Sequence, residues 1–256
     1  RTEKRGITVE VEGDEVDHVP LDDDNLAVRA VRVVASVSGV DPAAHLVLGM
    51  DIPVGGGLAG GSADGAAALV AADALWGADL SQRDLERLAA GIGSDVAFLL
   101  HGGTALGTGH GEVVSPVLGR GEWHWVLAVA ETGLSTPTVY AELDRQRGSD
   151  QPDEPSVADG VLAALRAGDP DALGLALRND LEAPALQLRP NLARVLEAGR
   201  ELGAAGGIVS GSGPTVALLA RTPGDAVRIA SALAGYDLCR TVRRATGPAP
   251  GARIVS

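Results

Sequence analysis

The sequence predicts an α+β fold in two domains, residues 1–130 and 131–256. Behind the glycine-rich run at residues 53–62, one helical pattern follows another with no strand between them, so a repeating β–α–β arrangement is excluded. The final third alternates helix, hairpin, helix and strand, which is typical of an α+β unit. With 256 residues and 45% hydrophobic content, the chain is long enough for one large or two modest domains.

Composition narrows the class of protein. Aromatic residues are only 2%, so the core must be built from aliphatic side chains, and the net charge of −13 argues against a nucleic-acid surface. One cysteine, Cys239, excludes an internal disulfide, fits a reducing cytosol and is predicted to be a packed strand residue rather than a nucleophile. No apolar run approaches the ~20 residues of a membrane span, and no signal peptide is visible. We therefore expect a cytoplasmic protein that binds neither nucleic acid nor membrane.

In the first half, a strand is predicted at residues 7–11. Asp22 to Asn25 cap a helix at 26–38, and a further strand lies near 46–50. Helices follow at 62–76 and, with Ser81 as cap, at 81–90. An apolar segment at 96–100, glycine-rich turns at 102–109 and a buried strand at 123–129 complete this half.

In the second half, Pro137 marks the first turn of a helix at 136–144. An exposed polar loop is predicted at 145–154 and an amphipathic helix at 191–202. Strands at 208–210 and 215–219 are joined by a tight turn, and a helix at 225–233 and a strand at 238–244 close the chain.

The glycine-rich run at residues 53–62 is the most informative segment. Glycines that lead into a helix leave backbone N–H groups accessible where the helix dipole is positive, and this favours phosphate binding. Gly55, Gly57 and Gly60 match the dinucleotide spacing, but the strand that such a fold requires after the first helix is missing. A P-loop is excluded because the run contains no lysine. A tightly packed glycine turn without a ligand stays open as the alternative.

Three side chains near predicted helix starts have two interpretations each. Ser62 is predicted to cap its helix and also to donate its hydroxyl to a phosphate. For Asp64, capping is favoured over Mg²⁺ binding, and the metal ligands are left unassigned. Asp95, in a Gly-Ser-Asp sequence before an apolar helix, is either an ordinary cap or a catalytic carboxylate.

Three segments together carry a family resemblance: the loop at 53–62, Gly-Ser-Asp-Val at 93–96 and Gly-Ser-Gly-Pro at 211–214. With them, the chain resembles the GHMP kinase superfamily. Residues 93–105, 109–112, 136–140, 179–182 and 208–214 are most similar to the 4-diphosphocytidyl-2-C-methyl-D-erythritol kinases of the non-mevalonate isoprenoid pathway. The resemblance implies a nucleotide-binding N-terminal domain, a ferredoxin-like C-terminal domain on the substrate side, and an active site between them.

The same resemblance implies transfer of the ATP γ-phosphoryl group to the 2-hydroxyl of that small-molecule substrate, with Mg²⁺ as cofactor. It makes Asp95 the catalytic base. The implied ATP-binding residues are Asn25, Pro53, Val54, Gly55, Gly56, Gly57, Leu58, Ala59, Gly60, Gly61, Ser62 and Ala63. Thr136, Tyr140, Gly211, Ser212 and Gly213 are the implied substrate-binding residues.

The chain departs from the family at its beginning. The family's catalytic lysine in a Pro-x-Lys-x-Asn-Leu strand and its Tyr-His pair have no match, and the sole lysine, Lys4, lies in a different context. We therefore expect a segment ahead of Arg1 and little or no turnover without it. The alternatives are a mevalonate-type or homoserine-type GHMP kinase, a non-catalytic nucleotide-binding fragment and a Rossmann-type dehydrogenase, which the order of the helices disfavours.

Overall fold

The computed structural model describes residues 6–16, 19–148 and 158–255. Its strands are β1 (Ile7–Glu12), β2 (Ala44–Gly49), β3 (Ala105–Thr108), β4 (Val113–Pro116), β5 (Trp123–Val129), β6 (Gly206–Val209), β7 (Val216–Ala220) and β8 (Thr241–Gly247). The helices are α1 (Leu26–Ser38), α2 (Gly60–Trp76), α3 (Gln82–Ile92), α4 (Ser94–His101), α5 (Thr136–Arg147), α6 (Asp159–Ala167), α7 (Pro170–Ala176), α8 (Glu182–Leu188), α9 (Asn191–Glu201) and α10 (Pro223–Ala234).

Contacts divide the chain into two compact units. The first contains the described residues up to Val54, together with Ala59–Val117 and the segment from Ala249 onward. The second contains Gly55–Leu58 and the described part of Leu118–Pro248. This division lies ahead of the boundary predicted near residue 130, because β5 pairs with β7 and β8 and so belongs to the second unit's sheet.

In its described residues, the first unit packs four helices with two small sheets. β1 and β2 are parallel, with Ile7 opposite Ala44, and β3 and β4 form an antiparallel pair. Its core consists of small aliphatic side chains, as the low aromatic content predicts, and Val34, Leu69 and Val96 are fully buried. The helices α1, α2, α3 and α4 supply most of this core.

The second unit is built on a four-stranded antiparallel sheet. The strand order is β6-β7-β5-β8, which is the order of a ferredoxin-like fold, and the central strand β7 is buried along its whole length. The core contains Val126, Val139, Leu218 and Ile229. The α+β class and the ferredoxin-like second unit are therefore confirmed.

Most predicted elements are present, with differences at their ends. Asn25 and Ser81 cap α1 and α3 as predicted. The glycine-rich segment at 102–109 is not only a turn, because β3 lies within it and pairs with β4. The polar loop predicted at 145–154 begins inside α5, and its residues from 149 onward, like Lys4, lie outside the described residues.

Cys239 does not lie in a strand. β8 begins at Thr241, and Cys239 occupies the bend before it, half-buried against the second unit's core. Burial, with a smaller contribution from the Glu131 carboxylate, raises the pKa of its thiol. A raised thiol pKa agrees with the prediction that Cys239 is not a nucleophile. In the described part of the chain, no helix is long and apolar enough to cross a membrane.

Candidate active site

The helix that follows the glycine-rich run begins two residues earlier than predicted. α2 starts at Gly60, and Ala59 precedes it in the left-handed conformation (φ 53°). No side chain caps this end, so Ser62 lies inside the first turn and is not the N-cap, and Asp64 does not cap the helix either. The first N–H groups of a helix have no partner within it. An uncapped N-terminus thus leaves donors available for an anion.

Close packing requires glycine at this helix start. A Cβ on Gly60 would lie 2.9 Å from Ile52 Cγ2, and one on Gly65 would lie 3.2 Å from Leu26 Cβ and 3.5 Å from Val96 Cγ2. Leu26 is the first residue of α1 and Val96 is the third residue of α4. The second turn of α2 therefore packs against the first turns of α1 and α4, and each of these three helix starts contributes a positive potential.

Asp95 lies at one of these three ends. It is the second residue of α4 and is exposed, and among the described residues its carboxylate has no hydrogen-bond or ion-pair partner. The N-cap of α4 is Gly93 and no side chain caps the helix, so the interpretation of Asp95 as an ordinary cap is wrong. Its carboxylate is available to a ligand.

Asn25 has a structural role. It is the N-cap of α1, only 6% exposed, and its Oδ1 accepts a hydrogen bond from the Ala27 N–H at 2.9 Å. Its Nδ2 donates to the Pro20 carbonyl oxygen at 2.7 Å. The side chain thus has partners at both polar atoms, and any contact with a nucleotide stays a prediction.

Asp64 follows in the second turn of α2, and burial raises the pKa of its carboxyl group. A half-buried carboxylate without a positive partner is the kind of group that a cation would stabilise. Within residues 6–16, 19–148 and 158–255, however, no three His, Cys, Asp or Glu side chains come together as a metal-binding group. The described side chains alone do not form a complete metal site.

The tip of the glycine-rich run, Gly55–Leu58, belongs to the second unit and packs there against the loop between β6 and β7. Ser210 Oγ donates to the Gly57 carbonyl oxygen at 2.7 Å, and the Thr215 N–H donates to the Gly56 carbonyl oxygen at 3.3 Å. A Cβ on Gly57 would lie 2.5 Å from the Ser210 carbonyl oxygen. The predicted phosphate loop and the predicted substrate loop at 211–213 are therefore in direct contact.

The predicted substrate-binding residues fall in one place within the second unit. Thr136 and Tyr140 lie one turn apart on the exposed face of α5, and Tyr140 is 51% exposed. Thr136 Oγ1 hydrogen-bonds Ser212 Oγ at 2.8 Å, so the start of α5 and the turn Gly211–Gly213 form one surface. Whether these residues bind substrate stays a prediction.

Two further side chains of this region were not predicted to have a role. Asn179 and Glu182 hydrogen-bond the backbone at Val209 and Gly211. The sequence marked residues 179–182 only as part of a resemblance. The residue types offered a signal, because an amide before a short helix and a carboxylate in its first turn can bond a neighbouring backbone.

In the comparison with known proteins, two separate family matches correspond to the two units. The family description "GHMP kinases N terminal domain" matches residues 25–103, and "GHMP kinases C terminal" matches residues 161–237. Together these matches cover more than half of the chain.

The chain belongs to the GHMP kinase family.

Relatives and solved structures narrow the comparison. A protein of Salinispora tropica named 4-diphosphocytidyl-2-C-methyl-D-erythritol kinase is 56% identical over 99% of this chain and 82% of its own length. One of the same name from Mycobacterium tuberculosis is 51% identical over 98% of this chain and 79% of its own length. A crystal structure of a 4-(cytidine 5'-diphospho)-2C-methyl-D-erythritol kinase superposes with a TM-score of 0.72 at 33% identity, covering 94% of this chain and 82% of that one.

A homoserine kinase from Cytophaga hutchinsonii superposes with a TM-score of 0.78 but is only 19% identical, over 98% of this chain and 84% of that one, so it shows the fold alone. The resemblance drawn from the sequence is confirmed. As a GHMP kinase, the protein uses ATP. The uncapped start of α2 fits that nucleotide, because it offers backbone donors in place of a lysine.

Proposed function

We propose that this GHMP kinase transfers the γ-phosphoryl group of ATP to the 2-hydroxyl of 4-diphosphocytidyl-2-C-methyl-D-erythritol. The observation that carries this function is the group of relatives at 50–56% identity over nearly the whole chain, which share the name of that kinase. The geometry within each of the two units supports this function.

ATP is bound through backbone groups in this proposal. Residues Pro53 to Ala63 surround the triphosphate, and the accessible N–H groups at the start of α2 donate to its oxygens. The Ser62 hydroxyl, which has no partner among the described residues, donates to a phosphate oxygen. Packing requires glycine at positions 57 and 60, because a Cβ at either position would collide with neighbouring atoms.

Asp95 acts as the general base. Phosphoryl transfer depends mainly on positioning and on charge stabilisation, with one group to accept the proton of the attacking hydroxyl. The exposed Asp95 carboxylate takes the proton of the 2-hydroxyl while that oxygen bonds to the γ-phosphorus and the bond to ADP breaks. The three helix ends near Asp95 stabilise the negative charge of the phosphates.

Mg²⁺ is the proposed metal cofactor, and it supplies neutralisation of phosphate charge when bound. Asp64 fits as a protein ligand, because its carboxylate is half-buried and has no cationic partner among the described residues.

The substrate is bound by the second unit in this proposal. Tyr140 offers an exposed ring on which the cytosine can stack, and Thr136 lies one turn before it. The contact between the turn Gly211–Gly213 and the glycine tip supports binding of the substrate's reacting end near the phosphates. We further propose that the enzyme works in the cytoplasm, in isoprenoid precursor biosynthesis.

The test is an assay of the purified full-length protein with ATP, Mg²⁺ and three alcohols in parallel. Transfer of phosphate to 4-diphosphocytidyl-2-C-methyl-D-erythritol, and none to mevalonate or homoserine, is expected. Transfer to mevalonate or homoserine alone would show another GHMP kinase activity. Nucleotide binding without transfer to any alcohol would instead show a non-catalytic nucleotide-binding protein.

A further inference from the structure

The segment Val209–Thr215 is held from outside by two side chains. Asn179 Nδ2 donates to the carbonyl oxygens of Val209 and Gly211, both at 2.8 Å. Glu182 accepts a hydrogen bond from the Val209 N–H at 2.9 Å. β6 is an edge strand, so the outward N–H and C=O of Val209 have no strand partner, and these two side chains satisfy both of them.

The opposite side of the same segment holds the glycine tip. The Ser210 hydroxyl and the Thr215 N–H donate to the carbonyl oxygens of Gly57 and Gly56. The turn is closed on itself, because the Ser210 N–H donates to the Thr215 carbonyl oxygen at 2.8 Å. A chain of hydrogen bonds therefore runs from Asn179 and Glu182, through this segment, to the glycine tip.

We propose that Asn179 and Glu182 are positioning residues of the kinase, which set the conformation of the glycine tip through the segment Val209–Thr215. The inference rests on the proposed binding of ATP by the glycine-rich run. Neither side chain touches ATP. They act because the carbonyl groups of Gly56 and Gly57, once bonded to Ser210 and Thr215, fix the direction of the neighbouring N–H groups.

The residue types match this role. Asn179 needs a donor group for two carbonyl oxygens and an acceptor for the Leu181 N–H, which Oδ1 bonds at 2.9 Å. An amide supplies both, whereas a carboxylate has no donor. Glu182 lies in the first turn of α8, where the helix dipole favours a negative charge. Its partner is a single N–H, so an uncharged amide oxygen could replace the carboxylate.

The decisive variant is Asn179→Asp. It keeps the acceptor for Leu181 and the size of the side chain, but it turns an oxygen toward two carbonyl oxygens. We expect the KM for ATP to rise at least about tenfold. Hydrogen exchange at the Thr215 N–H should accelerate by a similar factor, because a loss of ~1.4 kcal/mol in interaction free energy changes an equilibrium constant tenfold. The matched control is Asp180→Asn, because Asp180 is exposed and, among the described residues, bonds only Arg147 on the surface.

Further variants separate positioning from general stability. Glu182→Gln keeps an acceptor for Val209 and should retain the wild-type KM for ATP, whereas Glu182→Ala should raise it. Ser210→Ala removes the bond to Gly57 and should raise the KM for ATP with an unchanged melting temperature, and Ser210→Thr should restore it. If Asn179→Asp fails to fold, the comparison of Glu182→Gln with Glu182→Ala decides whether these residues position the tip.

The two proposals fail differently. If the wild-type protein does not phosphorylate the cytidine substrate, the proposed function fails. Hydrogen exchange at the Thr215 N–H then still tests whether Asn179 and Glu182 act through the segment Val209–Thr215. If the wild type is active and Asn179→Asp, Glu182→Ala and Ser210→Ala all keep its KM for ATP, the positioning role is overturned. Equal effects of Asp180→Asn and Asn179→Asp would also overturn it.

Discussion

Thr136 Oγ1 and Ser212 Oγ are hydrogen-bonded at 2.8 Å, although 76 residues separate them in the chain. Ser212 is only 8% exposed, whereas Thr136 lies at the exposed start of α5. Two residues that the sequence predicts, from separate segments, to bind substrate are thus neighbours. The Ser212 hydroxyl is buried, and Thr136 is its hydrogen-bond partner.

This pair gives a test of stability. Thr136→Val leaves the Ser212 hydroxyl buried without this partner, and we expect a loss of about 1–3 kcal/mol in the free energy of unfolding. Thr136→Ser keeps the bond and should lose much less. Denaturant unfolding measures both. Equal stability of the valine variant and wild type would show that Ser212 finds another partner.

Asp95→Asn should remove catalysis without disturbing the fold. The carboxylate caps nothing and is exposed, so stability should change by less than about 0.5 kcal/mol. Loss of the general base should lower kcat by roughly 10²–10⁴ while the KM for ATP stays near the wild-type value. Steady-state kinetics with the cytidine substrate checks this. A kcat within twofold of wild type would exclude Asp95 as the base.

Gly57→Ala should prevent ATP binding. Its φ of +73° is unfavourable for alanine, and its Cβ would lie 2.5 Å from the Ser210 carbonyl oxygen. The tip must then move away from the β6–β7 loop, and calorimetric titration with ATP should show affinity lowered by more than about tenfold.

The matched control for this variant is Gly91→Ala. Gly91 lies in α3, where a Cβ meets nothing within 4 Å. We expect this substitution to stabilise the protein by roughly 0.5–1 kcal/mol and to leave ATP affinity unchanged. Normal ATP affinity in Gly57→Ala would show that the tip does not shape the nucleotide site.

Asp64 should make stability depend on pH. Burial raises the pKa of its carboxyl group above the ordinary value of 3.8, so the folded state binds the proton more tightly than the unfolded state. Its destabilising contribution is absent below 3.8 and grows as the pH rises through the folded-state pKa. In metal-free buffer, Asp64→Asn should therefore be more stable than wild type at pH 7, and the difference should vanish toward pH 3. Urea unfolding across this range measures it. A difference that does not change with pH would contradict burial as the cause.

Much of the fold could be predicted because its signals are local. The cap at Asn25, the amphipathic α9 and the hairpin of β6 and β7 each depend on a short run of residues, and all three were predicted. The start of α2 differs from the prediction because glycines preceding Ser62 are typical of a loop. Gly60 and Gly61 are nevertheless helical, and Gly60 packs against Ile52, a contact outside the helix that no local pattern predicts.

The family and the two-unit α+β architecture could be predicted from the sequence alone, since motif residues and hydrophobic period suffice for these; phosphate binding by the glycine-rich run stays a prediction. Two further facts are visible only in the folded protein: β5 joins the second unit's sheet, and Asp95 is not a cap. A third is that Asn179 and Glu182 reach the glycine tip through Val209–Thr215. Those facts depend on hydrogen bonds between segments far apart in the chain, and no local pattern encodes which distant backbone group a side chain will meet.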